Sequence, residues 1–113
     1  MAIVIKELGE KTITISGTEL TLPEVYGRIR FVGDYSGTKI QGEVMTFASK
    51  VSFDEGKNIY TDVPIGSYEA DLEPGEVQSL DTAHKYAQIA YQDMGYEVTI
   101  DLTLWYANQH QLW

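Results

Sequence analysis

Cysteine is absent from the 113-residue sequence. That excludes disulfides, thiolate nucleophiles, zinc ribbons and iron–sulfur ligation together. Histidine occurs only as His84 and His110. Two imidazoles without thiols cannot build a zinc site unless several carboxylates join them, and no His-Glu-x-x-His pattern is present. Neither a metal nor a cofactor is expected.

Basic residues are scarce, with 8 Lys and Arg against 17 Asp and Glu and a formal net charge of −9. Phosphate backbones are bound by clustered cations, so nucleic acid is not an expected partner. The two arginines, Arg28 and Arg30, lie together on one strand-like segment and make at most a local spot. The acids are scattered singly rather than in blocks, which suits solubility and restraint on self-association. A soluble inhibitor, such as a mimic of nucleic acid, is the alternative reading of this charge and would need the acids gathered on one face.

Long hydrophobic runs are missing too. Met1 to Ile5 is apolar, but Lys6, Glu7 and Glu10 interrupt it, so neither a secretory signal nor a membrane span is expected. The sequence has no Gly-x-Ser-x-Gly elbow, no Gly-x-Gly-x-x-Gly turn and no Walker loop. Asp54, Glu55 and Asn58 surround Gly56 without the alternating oxygen ligands of a calcium loop, and read as a turn. Carboxylate pairs are inevitable among 17 acids on a small domain and single out no glycosidase centre. No catalytic residue can be assigned, and a binding or assembly module is expected rather than an enzyme.

What the chain does have is alternation. Ile3 to Glu7, Thr12 to Ser16 and Glu19 to Leu22 read as short strands, the last closed by Pro23. Val25 to Val32 is a clearer one. Val25, Gly27, Ile29 and Phe31 should face the core, with Tyr26, Arg28, Arg30 and Val32 outward. Asp34-Tyr35-Ser36-Gly37 is a turn signal. Lys39 to Phe53 reads as one long or bent strand, or two in series, with Gly42 at a bulge or a close approach. Asp54 to Asn58 would then turn a hairpin into a return strand, Ile59 to Val63. Gly66 to Leu72 is a further strand candidate.

The period changes after Pro74. Leu80, Ala83, Ala87, Ala90, Tyr91 and Met94 recur at helical spacing, with Ser79 placed as the cap and Gly95 as the closing residue. His84 falls on this helix as a partly buried side chain. Tyr96 to Tyr106 alternates again as a long final strand. One domain over residues 1–113 is expected. Its class is α+β, a mostly antiparallel β sandwich or open barrel with one late helix packed on the sheet.

Eight Tyr, three Phe and two Trp are more aromatics than so small a core can hold. Tyr and Trp anchor interfaces because they bury large area at little rotamer cost. The C-terminal residues Trp105, Tyr106, Leu112 and Trp113 are therefore the leading contact candidates, joined by Arg28 and Arg30 on the outward side of their strand.

The run Gly17-Thr18-Glu19-Leu20-Thr21-Leu22-Pro23, followed by Tyr26-Gly27-Arg28-Ile29 and later by Ala83-His84-Lys85-Tyr86-Ala87, resembles a class of small bacteriophage proteins. These open with a short hairpin, continue with a Tyr-x-Arg-Ile strand and end in an Ala- and Tyr-rich helix. The likeness covers residues 12 to 100, and the aromatic tail departs from it. It implies a structural subunit of the virion, in the tail, baseplate or fibre attachment, or else a capsid decoration protein. On that reading the chain is made in the host cytoplasm and works in the particle. Its partners are other virion proteins or copies of itself, and no catalytic residue is carried over.

Overall fold

The structure is a computed structural model and describes residues 1–63 and 68–102. In chain order the elements are β1 (Ala2–Lys6), β2 (Ile13–Thr14), β3 (Thr21–Leu22), β4 (Glu24–Gly33), β5 (Lys39–Phe47), α1 (Lys50–Glu55), β6 (Tyr68–Asp71), α2 (Leu80–Asp93) and β7 (Glu97–Asp101). Five strands form one antiparallel sheet in the order β6-β5-β4-β1-β7, and β2 and β3 pair separately. The α+β class is as expected: a curved antiparallel sheet with a long late helix packed on it.

The alternation of β4 and β5 explains the two faces. Val25, Ile29, Ile40 and Val44 point inward to α2 and the main core, with Ile3, Ile5 and Val98 from β1 and β7. Four of the five residues of β1 are buried, as befits a strand flanked on both sides. The helix contributes Ala83, Ala87 and Tyr91, whose small and large side chains let it lie close to the sheet. Ser79 caps α2 by accepting from the Thr82 amide at 3.2 Å, and Gly95 follows it at φ 105°. Met94, expected on the buried stripe, is 42% exposed because it lies at the helix end, past the edge of the core.

Gly42 is a site of close approach, made by a side chain rather than by backbone. Tyr68 is its cross-strand partner, and a Cβ on Gly42 would stand 2.5 Å from the phenol ring. The ring crosses this gap and its hydroxyl donates to the Ala83 carbonyl of α2 at 2.6 Å. A glycine in β5 thus lets an edge strand reach the helix.

The expected strand from Lys39 to Phe53 ends at Phe47. Ser49 adopts extended backbone and accepts from the Ser52 amide at 3.1 Å, which starts α1, and Gly56 at φ 73° closes it. Val51, within the expected strand, is instead 63% exposed on this helix, while Phe53 is fully buried beneath it. Asp54 to Asn58 is accordingly the exit of a helix and not a hairpin loop. Ile59 to Val63 forms no return strand. Ile59 exchanges bonds with Thr46, accepting from its hydroxyl at 2.7 Å, and Thr61 then makes a single bridge to Ile15 of the small hairpin.

A candidate protein-contact surface

The side of the sheet facing away from α2 carries the features of functional interest. Its rows are fixed by register: Tyr26 stands beside Phe47, Arg28 beside Met45, Arg30 beside Glu43 and Val32 beside Gln41. Its β4 residues, Tyr26, Arg28, Arg30 and Val32, were expected to face outward, and at one end of the row they are covered. There α1 folds back over it, and Ala2, Val4, Tyr26, Phe47 and Phe53 form a second, smaller core. Tyr26 is thereby 9% exposed rather than outward in water.

Arg28 sits at the border of that small core. Its guanidinium lies 4.5 Å from the Phe53 ring centroid and 5.3 Å from that of Phe47, and its Nη2 donates to the Phe53 carbonyl at 2.8 Å. Nε is enclosed without a hydrogen-bond partner. Burial lowers the pKa of the group, and the nearby charge of Asp54 works in the opposite direction. Arg28 therefore holds α1 to the sheet, a structural part that the outward parity of its position did not foretell.

Arg30, two residues on, is a different kind of residue. Its side chain is 83% exposed and meets Glu43 at 3.0 Å across the strands. A pair so open to water contributes well under about 1 kcal/mol, so it can exchange partners at little cost. Between the two rungs lies a groove of about 270 Å³ walled by Arg28, Arg30, Glu43 and Met45. Met45 and Val32 are 50% and 63% exposed on this face. Together they place apolar surface beside an available cation.

Of the contact residues expected from sequence, the structure brings Arg28 and Arg30 to one face. Trp105, Tyr106, Leu112 and Trp113 lie outside the described residues. Val32, Met45 and Glu43 were missed as contact candidates. Val32 was placed outward by parity alone, and exposure depends on where α1 stops covering the sheet.

Candidate chemical groups are otherwise engaged. His84 is 1% exposed within the α2–sheet interface, and its Nδ1 lies 2.7 Å from the Leu80 carbonyl. A carbonyl only accepts, so Nδ1 carries the proton and Nε2 is left bare and without a partner. Burial pushes the His84 pKa down. Glu76 receives Lys85 Nζ at 2.7 Å, the Tyr86 hydroxyl and the Glu73 amide, which hold its carboxyl down at about 2. This cluster fastens the loop before α2 to the helix. Among the described residues no three His, Asp or Glu side chains stand together as a metal-binding group. No helix among them is long and apolar enough to cross a membrane. Comparison with protein-family models, with curated proteins and with solved structures finds no match.

Proposed function

We propose that this chain is a non-catalytic structural subunit of a bacteriophage virion, a tail, baseplate or fibre-attachment component that works through protein contacts. The observation that carries the contact part is the half-covered outer face of the sheet. There Val32 and Met45 are exposed beside Arg30, the open one of the chain's two arginines. The phage setting is supported by the resemblance in the Tyr26-Gly27-Arg28-Ile29 strand and the Ala- and Tyr-rich helix. Acids distributed over several elements and interleaved with lysines, as in the Lys39–Glu69, Lys50–Asp101 and Lys85–Glu76 pairs, favour this reading over a mimic of nucleic acid.

The test is mass spectrometry of gradient-purified particles from the phage that encodes the chain. A fixed copy number that survives a high-salt wash is expected, and absence from the particle refutes the assignment. Particles assembled with chains lacking residues 105–113 should contain less of the subunit. Unchanged incorporation would remove the C-terminal segment from the contact surface.

A further inference from the structure

β4 is longer than the strand beside it. It stays paired with β5 as far as Gly33 opposite Ile40, whereas β1 covers it only from Glu24 to Gly27. Among the described residues, nothing pairs with Arg28 to Gly33 on the β1 side. The two terminal strands of the sheet are guarded. Gln88 reaches from α2 to the Val98 carbonyl of β7 at 2.9 Å, and Glu97 and Asp101 flank that strand. β6 is four residues long and carries Glu69 and Asp71. Short length, charged side chains, proline and a covering side chain are the usual protections of a sheet edge. The projecting part of β4 has no proline and a single charge, Arg30, among β-branched or aromatic residues at Ile29, Phe31 and Val32.

It is also held ready. Gln78 donates to the Asp34 and Lys39 carbonyls at 3.1 and 2.8 Å across the end of the β4–β5 hairpin. The Asp34 carboxylate receives the Thr38 and Lys39 amides and the Ser36 hydroxyl. A strand already rigid loses little entropy on pairing.

We infer that the edge Ile29–Gly33 is a strand-addition site for an extended segment of a partner chain in which a carboxylate stands between apolar residues. A strand placed there sets one side chain directly opposite each β4 residue on the same face. Opposite Arg30, whose exposed pair with Glu43 exchanges partners at little cost, the complementary residue is an acid. Opposite Ile29 and Phe31, which belong to the main core and its margin, it is an apolar residue. Backbone bonds supply the affinity and these positions the selectivity, as in other strand-addition complexes. The inference rests on the reading that the chain works by protein contacts, and it specifies the contact.

Hydrogen exchange on the whole chain, followed by NMR titration with blocked peptides, tests it. Alternate amides between Ile29 and Gly33 should exchange fast in the free chain, the others being held by β5. A peptide with glutamate between two valines should slow that fast set and shift it selectively. Its lysine counterpart should bind at least about tenfold more weakly, and Arg30→Glu should invert the preference. N-methylation of the valines should abolish binding. Protection of every amide from Ile29 to Gly33 in the free chain would overturn the inference, because the chain's own residues or a second copy would then fill the edge. Shifts elsewhere, equal binding of both peptides, or none at roughly 1 mM would overturn it as well. Each of these leaves incorporation into particles untouched, so the two readings fail separately.

Discussion

Arg28 meets Phe53 twice: its guanidinium lies over the ring, and its Nη2 donates to the same residue's carbonyl oxygen at 2.8 Å. A single side chain thus grips both the ring and the backbone of α1. Truncating Phe53 to Ala should cost about 3–5 kcal/mol, the transfer term plus the cavity it leaves. Arg28→Lys keeps the charge but loses the plane that stacks and the fork that reaches, and should cost about 1–2 kcal/mol. Urea unfolding reads both. Their sum should exceed the loss in the double variant, because each change removes the same contact. Strict additivity would mean that the stacking contributes nothing.

Gly42 and Tyr68 make a second coupled pair. The Tyr68 ring is pinned by its bond to the Ala83 carbonyl, so it cannot swing away from a new Cβ 2.5 Å distant. Gly42→Ala should destabilise by about 1–3 kcal/mol through overpacking. In a Tyr68→Leu background, where the ring is gone, the same change should be close to neutral. Thermal denaturation of the four proteins gives the coupling, and an unchanged penalty in the Tyr68→Leu background would place the strain elsewhere.

His84 sets a pH dependence whose sign follows from burial. Its folded pKa is depressed below the ordinary value of 6.5, so the unfolded chain takes up the proton first. The stability is complete above about 6.5 and is lost progressively as the pH falls below that value. Glu76 acts in a lower window, since its stabilisation is present above the unfolded value of 4.5 and disappears as the pH falls toward about 2. The Met1 amino group, lowered to about 5 chiefly by burial, overlaps the His84 range. The quantity to read is therefore the difference between parent and His84→Leu. Between pH 7 and 5 the variant should lose less stability than the parent in urea titrations. Parallel losses in the two proteins would show that His84 is not the group responsible.

Local chemistry was enough for several parts of this fold. The spacing of Ala83, Ala87 and Tyr91 behind a Ser79 cap and before Gly95 leaves a helix little choice, because each signal acts within a turn or two. The alternation of Val25, Ile29 and Phe31 likewise assigned the inward face of β4, since strand period does not depend on what the strand packs against. The run from Met45 to Phe53 failed for the complementary reason. Its apolar residues fit a strand face as well as a short helix, and the Ser49 cap with Gly56 decided the outcome only where α1 had an apolar surface to cover.

By itself, then, the sequence determined the α+β class, the late helix, the inner core and the lack of any thiol chemistry, all properties of short-range pattern or of composition. The tertiary structure alone decided that Tyr26 and Arg28 would be enclosed while Val32 and Arg30 stayed open, although all four share one parity. It also decided that β4 would outrun β1. Exposure and strand overlap are set by which distant segments arrive beside a residue, here α1 and β1, and alternation along one strand carries no information about either.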